Sequence, residues 1–433
     1  MLQTLRNAWK IPDLRKKMLF TVLMVIIFRM GSYIPVPGLD AAAIEELLGG
    51  FSGGMQGLLN NFSGGALERG SIFAMSISPY INASIIMQLL AVAIPYLERL
   101  SKEGEEGRKK IASYTRYLTV ILGFLQATGL FFGLKNNISG SSVVLNFIVV
   151  TLTFTAGTAF LMWLGEQITE KGIGNGISIL IFIGIVSRGP DMIRSLYVTL
   201  TAGGDTISIG AVITVVAVLV ISVIMIGFVV LMNDAERRIP VQYAKRVVGR
   251  KMYGGQSTHI PIKVAMAGVI PIIFAVSLMS FPQTINMFIN GQSAPDSRFW
   301  AAVLRLFQQT HPFYIIAYFL LILFFTYFYT ALQFNPIEMS NNMKKNGGFV
   351  PGIRPGKPTS DYIAKVLSRI TLVGALFLAV IAIFPILMAI AMPSVGNISI
   401  GGTSLLIVVG VALETVKQIE SMMLMRHYKG FLE

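Results

Sequence analysis

The chain has 433 residues, 54% hydrophobic and only 13% charged, with a mean hydropathy of +0.69 and a formal net charge of +14. Charged residues at about half the share usual in soluble domains cannot clothe a water-facing surface, which excludes an ordinary soluble globular protein. The chain has no cysteine, which excludes a disulfide framework and thiolate chemistry, and basic residues that flank apolar runs instead of crowding one domain argue against a nucleic-acid-binding module.

The first 17 residues carry Arg6, Lys10, Arg15, Lys16 and Lys17. The apolar run behind them continues into Arg29 and a Pro-containing turn with no small-residue cleavage site, so it reads as a retained span and not as a removed signal peptide. Spans are predicted over 18–34, 71–95, 114–134, 145–164, 175–195, 210–232, 264–282, 313–333, 367–390 and 402–420. Each is near the roughly 20 residues that cross about 30 Å of hydrocarbon as a helix. The runs are continuous instead of alternating, and a helix satisfies its own backbone in lipid, so helices are expected in place of a barrel. The fold class is therefore an all-α polytopic membrane protein with ten transmembrane helices. Of the 35 Lys and Arg, 28 fall at 1–17, 96–116, 165–175, 233–263, 334–369 and beyond 413. Those segments lie on one side of the predicted spans, which places both termini and the long loops in the cytoplasm.

Residues 35–70 differ from every other loop. The stretch from Phe51 to Gly65 is bounded by glycine pairs, too short to span and too apolar for a solvated loop. Two readings fit, a re-entrant segment that caps a cavity and an amphipathic surface turn. Pro79 and Asn82 lie in the second predicted span and Pro271 in the seventh. The fifth opens on Gly172-Ile173-Gly174-Asn175-Gly176 and sets Ile181 and Ile185 one turn apart. Small residues allow close helix approach, and the isoleucines suit lipid contact, helix packing or an apolar constriction that closes by dewetting.

Two cytoplasmic loops, 233–263 and 334–366, are long enough to be built objects. Alternation from Ile239 to Tyr243 predicts a short strand and Gly254-Gly255 a turn. Gly and Pro from Gly347 to Gly356 fix turns that would present Arg354 at a tip. No HExxH, phosphate-binding loop or GxSxG elbow is present, and His259, His311 and His427 form no ligand cluster. No enzyme activity, metal or cofactor is expected. Arg29 and Glu414 lie near span ends and read as structural, while span interiors are almost uncharged, unlike those of ion-coupled carriers.

Ile81 to Leu90, Gly172 to Ser178, Ala267 to Pro271, Phe349 to Gly356 and Gly401 to Ile407 closely resemble, in order and across essentially the whole chain, the SecY family, channel subunits of the bacterial general protein-secretion translocon. The resemblance implies two pseudo-symmetric halves, 1–200 with spans one to five and 201–433 with spans six to ten. A channel would run between them, with a lateral gate of spans two and three against seven and eight. It implies a plug helix at about 54–66, including Met55, Leu58, Leu59 and Phe62, and a pore ring of Ile77, Ile81, Ile181, Ile185, Ile273 and Ile407. Arg246, Arg250 and Arg354 would be docking residues for the motor ATPase SecA or the ribosome. SecE and SecG would be membrane partners, signal peptides and unfolded preproteins the cargo, and the cytoplasmic membrane of a bacterium the setting. The competing expectation is an inverted-repeat transporter of a small solute, with a polar site between broken helices. A purely structural assembly scaffold is a third.

Overall fold

The structure, a computed structural model, describes residues 2–39, 44, 60, 63–134, 143–201, 209–243, 246–248, 251–253, 257–290, 297–391 and 402–429. A helix occupies each of the ten expected positions. The chain begins with α1 (Leu2–Lys10) and α2 (Pro12–Gly31), separated at Ile11, whose backbone is extended before a proline that starts the next helix. There follow α3 (Ser78–Ala93), α4 (Pro95–Lys102), α5 (Glu105–Leu134), α6 (Val143–Lys171), α7 (Gly176–Val186), α8 (Gly189–Thr201) and α9 (Ile209–Asp234). The second half contains α10 (Ile270–Asn290), α11 (Arg298–Leu306), α12 (Pro312–Gln333), α13 (Pro336–Lys345), α14 (Lys357–Ala391) and α15 (Gly402–Lys429).

Among the described residues, α5, α6, α9, α14 and α12 continued into α13 are each long and apolar enough to cross a bilayer alone. Their outer faces agree with that role: Val223, Ile224 and Leu231 of α9 are exposed large hydrophobics. The other spans are less regular than hydropathy predicts. Pro95 cannot continue α3, and the chain bends by 101° into α4, whose Glu98 and Lys102 pair at 2.6 Å. That ion pair holds the Glu98 carboxyl below its ordinary pKa, through the hydrogen bond first and the charge second. The fifth predicted span is two helices, because α7 ends at Val186 and α8 restarts at Gly189.

Spans two and seven also start later than predicted, and by the same device. Residues 71–77 and 264–269 form turns, and the helices begin at Ser78-Pro79 and Ile270-Pro271. Two residues before each helix the backbone is left-handed, φ 52° at Ser76 and φ 58° at Gly268. Irregular backbone at membrane depth must be covered by protein, and a glycine notch in a neighbouring helix provides the cover. A Cβ on Gly157 of α6 would lie 2.0 Å from the Ile72 carbonyl oxygen, and one on Gly374 of α14 2.3 Å from that of Val264.

Between α9 and α10 the expected strand is β1 (Glu236–Tyr243), which pairs antiparallel with β4 (Ser257–Lys263), Ile239 opposite Ile260. Between them, β2 (Arg246–Val248) pairs with β3 (Lys251–Tyr253); the expected turn at Gly254-Gly255 lies outside the described residues. Unforeseen by the sequence, β5 (Gly348–Phe349) of the second loop adds to the free side of β1, giving the order β4-β1-β5. Beneath that sheet, Ile239, Val241 and Ile262 pack with Met343, Val350, Ile363 and Leu367.

Candidate functional site: an apolar constriction and a cytoplasmic platform

Four helices carry isoleucines to one place. Ile77 ends the irregular lead-in of α3, and Ile81 lies one turn further, its N–H donating to the Ile77 carbonyl at 3.0 Å. Ile181 and Ile185 occupy successive turns of α7, a helix started by Asn175, whose side-chain oxygen accepts from the N–H groups of Ile177 and Ser178. Ile273 is in the first turn of α10, and Ile407 is on α15. Ile77, Ile181 and Ile407 are 1%, 3% and 1% exposed, and Ile81, Ile185 and Ile273 are half-buried against the same cluster, which includes Phe28, Leu180 and Val411. The six residues come from the second, fifth, seventh and tenth predicted spans and belong to one apolar cluster. Chemically, such a collar offers no ligand to an ion and no hydrogen bond to water.

The helices around the collar are held mainly by apolar contact. α10 packs on α3 and α5, while α12 packs on α10 and α14. Ion pairs contribute little: Arg116–Glu166 at 2.8 Å between α5 and α6, and Lys417–Asp234 at 2.6 Å between α15 and α9, are both substantially exposed, a class worth about 0–1 kcal/mol.

Met55, Leu58, Leu59 and Phe62, the expected plug residues, lie outside the described residues. The chain that follows them is tied to the C-terminal ends of α2 and α7. Arg29 donates to the Gly64 carbonyl at 3.1 Å, to Ser187 Oγ at 3.2 Å and to Tyr33 Oη at 2.8 Å. Arg188 pairs with Glu68 at 3.1 Å, and Asn60 donates to the same carboxylate. Arg69 stacks 4.6 Å from the Tyr33 ring centroid and donates to the Gly64 carbonyl. Arg29 is thus a structural anchor, as its place near the end of a span suggested. Glu68 and Arg188 were not legible as a pair, since 120 residues separate them.

In the platform, Arg354 is exposed on the segment between β5 and α14. Arg246 opens β2, its backbone opposite Tyr253, while Arg250 lies outside the described residues. Strand β2, which carries Arg246, pairs with β3 in a separate sheet, while β1 and β4 of the first loop and β5 of the second, which leads to Arg354, share one sheet and one apolar core. Neither loop contains a local signal for that pairing; the alternating apolar residues of β1 were the only hint that a partner strand existed.

The SecY family model matches residues 71–416. The protein translocase subunit SecY of Streptomyces galbus is 49% identical over 446 aligned residues, covering 100% of both chains. A solved SecY structure, described for a plug domain that stabilises the closed translocation channel and maintains a membrane seal, superposes with a TM-score of 0.64 at 19% identity, over 94% of this chain and 92% of that one. Sec61 from the canine ribosome–channel complex of the endoplasmic reticulum gives 0.63 at 17% identity, with coverage of 94% and 92%. At those identities the solved structures speak for the fold.

Proposed function

The chain belongs to the SecY family, and from that premise we propose that it is the protein-conducting channel of a bacterial translocase, passing unfolded preproteins across the membrane and releasing apolar segments sideways into lipid. It is a multi-pass membrane protein; the loop charges support a topology with both termini in the cytoplasm, and the family likeness supports the cytoplasmic membrane of a bacterium as its setting. The observation that carries the reading is the meeting of six isoleucines from four spans in one apolar cluster. A branched apolar ring blocks water and ions at rest, yet parts around an extended polypeptide of any composition, because it makes no specific bond to either.

The two halves, 1–200 and 201–433, move as the leaves of this channel. Their matching lead-ins support that division: Ser76 and Gly268, Pro79 and Pro271, and Ile81 and Ile273 stand at one spacing, on helices that the charge pattern runs in opposite directions. Opening separates α3 and α5 from α10 and α12. The segment from Met55 to Phe62 closes the outer funnel, and the Arg29 and Arg188 contacts hold its C-terminal root to the first half.

The energy comes from outside the chain. Arg246, Arg250 and Arg354 engage SecA or the ribosome, since a guanidinium pairs in bidentate fashion with carboxylate or phosphate. SecE and SecG complete the membrane complex, and signal peptides open it. The test is reconstitution of this chain with SecE, SecG, SecA, ATP and a signal-bearing preprotein. Protease-protected preprotein is expected, whereas saturable uptake of a small solute with no protected preprotein would favour the transporter reading.

A further inference from the structure

The segment that presents Arg354 has few bonds of its own. Between α13 and α14 it contains Pro351 and Pro355, which have no N–H to donate, and left-handed glycines at 347, 352 and 356, with φ of 71°, 83° and 102°. Backbone turns run from the Gly347 N–H to the Lys344 carbonyl at 3.1 Å, at its start, and from the Ile353 N–H to the Val350 carbonyl at 3.0 Å, beside the arginine. Two hydroxyls from the flanking helices supply further anchors. Thr359 Oγ1, in the first turn of α14, donates to the carbonyl of Arg354 itself at 2.8 Å, and Ser340 Oγ of α13 donates to the carbonyl of Gly356 at 2.8 Å. Both residues are 2% exposed, while the Arg354 side chain faces solvent.

A helical Ser or Thr commonly bonds the carbonyl four residues back in its own helix. Here Thr359 and Ser340 reach out of their helices to grip a loop, one on the backbone of the arginine and one two residues beyond it. A long side chain docks tightly only if its backbone origin is fixed in advance, because otherwise binding must order the loop as well. We propose that Ser340 and Thr359 are positioning residues that hold Arg354 at the angle required for docking to the cytoplasmic motor. This rests on the reading of Arg354 as a docking residue.

The test uses the complete complex with SecE and SecG in proteoliposomes, with SecA and ATP titrated against preprotein protection. Thr359→Val keeps the shape and loses the donor; Ser340→Ala, made separately, loses the other grip. Each should raise the SecA concentration for half-maximal translocation about three- to tenfold, the range for loss of one hydrogen bond, with the maximal rate nearly unchanged. Thr359→Ser, which retains the hydroxyl, should behave as the unsubstituted protein. With Arg354→Ala already present, Thr359→Val should add less than about a twofold change, since the group being positioned is gone. Unchanged half-saturation for both hydroxyl variants would overturn the proposal. So would a defect in Thr359→Ser equal to that of Thr359→Val, or an undiminished effect of Thr359→Val in the Arg354→Ala background. An Arg354→Ala complex with normal SecA half-saturation would instead remove the docking reading itself.

Discussion

Replacing Ile81, Ile185 and Ile273 together by Ser probes the seal with least damage to packing. These three are the half-buried members of the collar, whereas Ile77, Ile181 and Ile407 are at most 3% exposed, and truncating such sites costs about 2–5 kcal/mol each. Each new hydroxyl can bond water that isoleucine cannot, a gain of about 1 kcal/mol apiece, so the wet state of the constriction is favoured by roughly 3 kcal/mol. At about 1.4 kcal/mol per decade, the hydrated population rises about 100-fold. Single-channel recording of the reconstituted complex in planar bilayers, without motor or preprotein, should show ion leak in the variant and background current in the parent. The control is Ile224→Ser on the outer face of α9, 63% exposed, which should leave the current at background. If the triple variant stays at background while its signal-peptide-opened pore conducts normally, the isoleucines are not the seal.

Changing Arg354 to Glu should depress SecA-driven translocation at least tenfold through repulsion of an acidic or phosphate-bearing partner, with normal accumulation of the protein in membranes; normal transport by vesicles matched for protein would refute it. Cysteines at Gln242 and Phe349, which are direct cross-strand partners, should form a disulfide on mild oxidation. The readout is clean because the chain has no other cysteine, and no crosslink would mean that the loops are separate bodies. Gly374→Val places a branched side chain where even a Cβ lies 2.3 Å from the Val264 carbonyl oxygen, and overpacking of this kind costs about 1–3 kcal/mol or more. Lowered melting temperature of the purified complex is expected, and an unchanged one would show that the lead-in to α10 moves freely.

Much of this architecture is written in local composition. Ten apolar runs mark ten helical positions, and the alternation of β1 is plain. Hydropathy fails where the backbone is apolar but not helical. Residues 71–77 and 264–269 look like span because Ile72, Phe73, Val264 and Met266 are hydrophobic, yet their path depends on Ser76, Gly268 and the notches at Gly157 and Gly374. A glycine about 80 to 110 residues away leaves no mark on a sliding window. The same distance hides the pairing of β1 with β5 and of Glu68 with Arg188. The meeting of the isoleucines was expected through family resemblance; spacing alone joined only Ile181 to Ile185.

Under the proposed function, the two lead-ins let one apolar cluster serve both as the seal and as part of a gate. A straight helix through the whole membrane would present a continuous ridge to its neighbours, and parting it from them would break packing along its full length. In α3 and α10 the helix proper begins at Ser78 and Ile270, after a turn pinned to another helix of its own half, Ile72 against α6 and Val264 against α14. Each of these two helices is therefore packed closely at its starting end, and its first turn carries one isoleucine of the cluster, Ile81 or Ile273. Each helix satisfies its own backbone hydrogen bonds, so separation of these helices in lipid exposes few backbone groups that need a new partner. On that proposed reading the cost of opening falls mainly on side-chain packing within the isoleucine cluster, which an entering apolar segment replaces with its own.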